Sequence, residues 1–122
     1  EKIQCKRIKI WNWYNEGLKS WAENSKVGLP VIPEYGTNNG HMFYLLCNTL
    51  QQRDSLINKL KSDNILAVFH YLSLHNSDFY KNKHDGRMLL ESDRYSDTLL
   101  RLPFYYELEY QDIKRIINNI IN

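Results

Sequence analysis

The run His41-Met42-Phe43-Tyr44-Leu45-Leu46-Cys47, followed at once by Thr49-Leu50-Gln51-Gln52, decides the reading of the fold. The first part is nearly continuous in apolar residues, rich in aromatics and bounded by turn residues. That pattern predicts a strand, and an unbroken apolar run suits one buried on both faces. Thr49 and Gln52 stand at capping-box spacing, so a helix opens there. It gathers Leu56, Ile57 and Leu60 on one side and ends near Asp63-Asn64.

Working outward, Ile65 to Tyr71 is a second apolar run in which Val68, Phe69 and Tyr71 favour strand. From Leu72 to Leu90 no period is visible, and the Asn, Lys, Asp and His content predicts a long loop of the kind that often carries function. Ser92 is expected to cap a short helix through Tyr95, Leu99 and Leu100, after which Leu102-Pro103-Phe104 must be extended or turned. Ile113, Ile116, Ile117 and Ile120 give a final helix, about Tyr110 to Ile121, one buried face at the i, i+3, i+4, i+7 spacing. On the N-terminal side, Ile3, Ile10, Trp11, Tyr14, Leu18 and Trp21 form one stripe of a helix from Glu1 to about Asn24, with Gly28 as the stop. Leu29 to Pro33 is extended and Glu34 to Gly40 is a loop. This order predicts an α+β fold: a small mixed or antiparallel sheet covered by helices.

Composition narrows the class. The chain has 122 residues, 43% hydrophobic, 13% aromatic and 25% charged, which fits one compact domain. Five glycines and three prolines are too few for a collagen-like or Pro/Gly-rich disordered chain. No run approaches the ~18 apolar residues of a membrane span, so no membrane partner is expected. Glu1-Lys2-Ile3-Gln4 is no signal peptide, and the lack of an initiator Met points to a fragment or processed product. Cys5 and Cys47 make neither a disulfide framework nor a zinc motif, so a cytoplasmic setting is expected. A net charge of +2 with a pI near 8.5 does not call for a nucleic-acid partner.

Few residues advertise chemistry. His70 and His75 flank Tyr71-Leu72-Ser73-Leu74 at the end of a strand. Their spacing, with no cysteine nearby, argues against zinc, and no nucleophile is marked for a triad. They either hydrogen-bond backbone at the strand end or face a site. His84, among Lys81, Lys83 and Asp85, reads as solvated. Lys2, Lys6, Lys9 and Trp13 share a helix face opposite the apolar stripe. That face could follow a nucleic-acid backbone or be a solvated lysine face with Trp13 covered by protein outside this chain. The weak net charge favours the second. Phosphate-loop, dinucleotide, metalloprotease and nucleophile-elbow motifs are all absent.

One set of motifs carries further. Asn39-Gly40-His41-Met42-Phe43-Tyr44, Arg53-Asp54, Ala67-Val68-Phe69-His70-Tyr71 with Leu74-His75, Asp93-Arg94-Tyr95, Leu99-Leu100-Arg101-Leu102-Pro103 and the closing isoleucine helix together resemble the C-terminal region of the DegT/DnrJ/EryC1/StrS family of sugar aminotransferases. The resemblance covers nearly the whole chain. It implies the small C-terminal domain of a fold-type I aminotransferase, with residues 1–28 as a helix linking it to a missing large domain and 29–122 as the small domain. It implies pyridoxal phosphate as cofactor, bound by the missing domain, and amino transfer from glutamate to a dTDP-4-keto-6-deoxy sugar by a homodimer. None of Lys2, Lys6, Lys9, Lys19, Lys26, Lys59, Lys61, Lys81, Lys83 or Lys114 stands in the family's Schiff-base context, so no catalytic residue is expected in this chain. His70, Tyr71 and His75, with His41, are the substrate-binding candidates, since imidazole and phenol groups can hydrogen-bond sugar hydroxyls or diphosphate oxygens. Two other readings stand beside it: a non-enzymatic binding module using the basic first helix, and a parent from the family's dehydratase branch, in which the lysine is replaced.

Overall fold

In the computed structural model, which describes residues 1–122, four helices and three short strands follow in the order α1 (Lys2–Ser25), β1 (Tyr44–Leu46), α2 (Leu50–Ser62), β2 (Val68–Phe69), α3 (Leu90–Thr98), β3 (Leu99–Arg101) and α4 (Tyr110–Ile121). The fold is α+β, as the patterning predicts. All three strands pair antiparallel in the order β1-β3-β2, with Tyr44 opposite Arg101 and Arg101 opposite Val68. The middle strand is therefore the last in sequence. Helices α1 and α4 pack together beneath one face of the sheet, and a single cluster of 17 buried residues runs through them.

The core follows from helical and strand periods. Ile113, Ile116, Ile117 and Ile120 of α4 are all buried. From α1 come Ile10, Trp11, Tyr14, Leu18 and Ala22, whereas Ile3 lies 61% exposed and Trp21 is half-buried, so the buried stripe begins about two helical turns later than Ile3 suggests. Phe43 is fully buried, stacked on Tyr14 with ring centres 5.1 Å apart and met edge-on by Trp11 at 5.5 Å. The Tyr14 hydroxyl donates to the Pro103 carbonyl at 2.9 Å. Burial pushes the Tyr14 phenol well above its ordinary pKa, with smaller pushes from Tyr105 and Asp112, so it remains a donor.

Several expectations are corrected. The strand expected over His41 to Cys47 shrinks to Tyr44–Leu46, and along residues 42–47 buried Phe43, Leu45 and Cys47 alternate with half-buried Met42, Tyr44 and Leu46. The run is thus covered on one face only, and its apolar continuity reflects a second face that is partly open. The sequence reading carries the third helix through Leu100, but Leu99 and Leu100 belong to the central strand. Leucine favours helix locally, and only pairing with chain segments far away in sequence overrides that preference. Ser92 does not cap this helix. Leu89 occupies the N-cap without a side-chain bond, and Ser92 sits inside α3, where its carbonyl accepts from the Ser73 hydroxyl. The strand predicted over Ile65 to Tyr71 shrinks to Val68–Phe69, and Tyr71 adopts a left-handed φ of 57°.

The helix ends are partly as predicted. Thr49 caps α2 by accepting from the Gln52 N–H at 3.1 Å. The Gln52 side chain reaches one residue further back, to the Asn48 N–H at 2.7 Å, so the reciprocal half of the box is displaced. The end of α1 is made by Lys26 at φ 55°, not by Gly28. Gly28 instead exchanges two backbone hydrogen bonds with Leu46. A Cβ there would come 3.2 Å from the Leu46 Cβ.

Gly40 ties the loop before β1 to α1. Its φ is +53°, its N–H donates to Asn38 Oδ1 at 2.8 Å and its carbonyl accepts from Arg7 Nε at 2.9 Å. A Cβ would lie 3.1 Å from backbone atoms of Arg7 and Ile8, which cannot move aside without unwinding the helix. Gly40→Val is expected to cost about 2–3 kcal/mol, combining left-handed strain in a β-branched residue with this overlap. Urea unfolding measures it, and a loss below that of a surface substitution would show that the loop relaxes freely.

Candidate functional site

The antiparallel register puts Tyr44, Arg101 and Val68 in one row across the three strands, on the face turned away from α1 and α4. All three are half-buried. Beside the row, a pocket of about 320 Å³ opens between His41, Val68, Arg101, Phe104 and Tyr105. Of the four residues proposed from sequence, His41 lines this pocket, and His70 and Tyr71 lie beside it, close to Arg101. His70 follows β2, and its ring lies 4.5 Å from that of Tyr71. Tyr71 is 70% exposed, with the Arg101 guanidinium 5.9 Å from its ring centre. His41 is exposed at the pocket wall, where Nδ1 meets Asn39 Oδ1 at 2.7 Å. An amide oxygen only accepts, so that nitrogen carries the proton.

The electrostatics of this face are one-sided. Burial lowers the His70 pKa below its ordinary 6.5, and the nearby positive charges of Arg101 and His41 lower it further. His70 Nδ1 is buried without a hydrogen-bond partner, and so is Arg101 Nε. No carboxylate pairs with Arg101; every ion pair of the protein lies elsewhere. Tyr44, on the same row, has its phenol pKa pushed up by burial and by Tyr95.

His75 belongs to a different network. Its Nε2 lies 2.9 Å from Asp93 Oδ1, which also accepts from Ser73 Oγ and Asn76 Nδ2 at 3.0 Å each. The His84 ring lies 5.2 Å from that of His75, tilted by 38°. His84 is therefore not solvated, as its charged neighbours suggest; its side chain is only 11% exposed. These contacts pin the 73–86 loop to α3. Cys47 offers no nucleophile, because burial pushes its thiol up to about 11 against a smaller opposing pull from Arg53.

The basic face of α1 is also reorganised by tertiary contacts. Lys6 pairs with Glu109 at 2.6 Å, and Lys6 and Lys9 lie over the Trp13 ring. Trp13 packs edge-on against Tyr110 at 5.3 Å, half-buried at the margin of the core. The helical-wheel offset that should keep it off the core is overcome by α4. Gly17 lacks a side chain, so Ile117 enters the space a Cβ would fill, and the close approach widens the buried arc. Trp13 is thus engaged by Tyr110, Lys6 and Lys9 within this chain.

Arg101 is the site residue that sequence reasoning does not nominate, although Leu99-Leu100-Arg101-Leu102-Pro103 is one of the motifs carrying the resemblance. The available signal is a lone cation inside an apolar run. A charge there demands a partner, and none is visible locally.

Comparison with known proteins now identifies the class. Residues 1–121 match the DegT/DnrJ/EryC1/StrS aminotransferase family, and the chain belongs to that family. Its fold is that of TlmJ, an aminotransferase from Streptoalloteichus hindustanus, at TM-score 0.83 and 20% identity over 96% of this chain and 30% of that one. A DegT/DnrJ/EryC1/StrS aminotransferase from Brucella abortus is 26% identical at TM-score 0.76, over 98% of this chain and 31% of its own. Spr1654 from Streptococcus pneumoniae, solved in PLP and PMP forms, is 18% identical at TM-score 0.80, over 98% of this chain and 30% of its own. The chain thus spans about 30% of the length of the structures it matches. No helix is long and apolar enough to cross a membrane.

The family is pyridoxal-phosphate-dependent. The residues present here do not fit that cofactor. The pocket beside Arg101 is lined by neither a lysine to form a Schiff base nor a carboxylate to face a pyridinium nitrogen. No chemical step through the cofactor follows from this chain.

Proposed function

We propose that this chain is the small C-terminal domain (residues 29–122, entered through the helix of residues 1–28) of a cytoplasmic nucleotide-sugar aminotransferase that acts as a homodimer. The reaction is amino transfer from glutamate to a dTDP-4-keto-6-deoxy sugar, and the pattern is similar to that of dTDP-4-amino-4,6-dideoxygalactose transaminase of lipopolysaccharide biosynthesis. Pyridoxal phosphate is held by residues outside this chain. His70, Tyr71 and His41 contact the sugar or its diphosphate from the open face of the sheet. His75 contributes from the neighbouring loop through Nδ1, its Nε2 being engaged with Asp93.

The observation that carries this reading is the family match over residues 1–121. The half-covered face supports the placement, because it presents donors without protein partners where a substrate could meet them. The lysines line no pocket suited to the cofactor, so the chain alone is expected to form no stoichiometric, borohydride-trappable lysine adduct with pyridoxal phosphate. The longer protein should form one and should aminate the keto sugar with glutamate as donor. Mapping a single reduced adduct to a lysine of residues 1–122 would overturn the assignment.

A further inference from the structure

We infer that Arg101 is a receptor for a phosphoryl oxyanion, the diphosphate of the nucleotide sugar, with His70 and His41 flanking it. This rests on the proposed reading of the open face as substrate-facing and deepens it by assigning the charged part of the substrate to a residue.

Arg101 is half-buried on the middle strand, held on both sides by backbone pairing, and its Nε is buried without an acceptor. Nearly all buried polar groups find partners, and the Arg101 Nε–H has none. Its neighbours add to the demand: His70 Nδ1 is a second orphaned polar atom, His41 is within electrostatic range of His70, and no carboxylate lines the pocket. A guanidinium that shares a pocket of about 320 Å³ with the His41 imidazole, and has His70 close by, suits a group with several anionic oxygens. Tyr71 lies beside Arg101, exposed, where an aromatic face could cover the bound group. A carboxylate from elsewhere in the longer protein is the competing partner.

Inorganic pyrophosphate is the probe. In the longer protein, calorimetric titration should show pyrophosphate binding that R101Q weakens by about tenfold to hundredfold and R101K weakens less, since lysine keeps the charge without the fork. Inorganic phosphate should bind more weakly than pyrophosphate at the same residue. An NMR titration of the histidine ring protons supplies a readout that misfolding does not mimic. Pyrophosphate should raise the His70 pKa in the wild type, because a bound anion favours imidazolium. In R101Q the unliganded His70 pKa should start higher, since a depressing charge is gone, and pyrophosphate should move it less. Failure of pyrophosphate to bind or to shift His70 in the wild type overturns the inference and leaves a protein carboxylate as the partner. So does an unchanged KM for the sugar nucleotide in R101Q, and if amino transfer then persists the proposed function survives without it. Pyrophosphate binding that depends on Arg101 in a protein that aminates no keto sugar supports the receptor and removes the reaction.

Discussion

Phe43→Ala is expected to remove about 3–5 kcal/mol of unfolding free energy, the usual range for emptying a fully buried aromatic site. Phe43 lies between α1 and the sheet, with Tyr14 stacked on one side and Trp11 edge-on. Neither ring can follow a truncated side chain: Tyr14 is held by its bond to the Pro103 carbonyl, and Trp11 by the helix that carries it. A cavity therefore persists, and the lost dispersion contacts add to the lost burial. Domains of this size have roughly 5–15 kcal/mol in all, so the midpoint of thermal unfolding should fall by about 10 °C or more. The backbone bond from Leu102 N–H to the Phe43 carbonyl, at 3.0 Å, is unaffected by the change, so the loss isolates the ring. Phe43→Leu should cost less than half as much. Equal losses for the two variants in urea unfolding would show that the site collapses and that the aromatic stack contributes little.

His70→Ala should lower kcat/KM for the keto sugar by roughly tenfold to hundredfold, the consequence of losing a hydrogen bond worth about 1–3 kcal/mol in a partly desolvated site. Half-reactions measured separately in the longer protein make this specific. In the proposed reaction the glutamate half-reaction would precede sugar binding, so it should change little. If His70 only packs at the end of β2, both half-reactions should fall together as folded enzyme is lost. The depressed His70 pKa adds a sign to the control experiment. The folded state resists protonating His70, so its stability is greatest above the ordinary histidine pKa of 6.5 and declines as pH falls below it. His70→Ala should flatten that decline. Unchanged keto-sugar kinetics in a stable variant would remove His70 from the substrate side and leave the orphaned nitrogen to the acid-sensitivity of the fold.

Local patterns in the chain determined where α1, α2 and α4 lie and most of the core residues they supply. The isoleucines of α4 repeat at the helical period, and all four are buried because a helix face is fixed by spacing alone. Thr49 announced α2 because a cap is a contact between residues three apart. The family resemblance lay in short motifs that survive on one sequence, and the match over residues 1–121 agrees with it. Only the tertiary structure decided which strand lies in the middle. Leu99-Leu100-Arg101 has no strand signal of its own; it is a strand because β1 and β2 bond to it from distant parts of the chain. The same holds for the candidate site. His70 and His75 are neighbours in sequence, yet the left-handed turn at Tyr71 sends them to different partners, His75 to Asp93 and His70 toward Arg101 and His41. Arg101 reads as one more surface cation until the sheet half-buries it without an acceptor. The α4 face and the Thr49 cap are short-range and legible along the chain, whereas the expected Ser92 cap and Gly28 stop gave way to tertiary packing, and burial of an unpaired N–H is a property of the space between elements that exists only after they have packed.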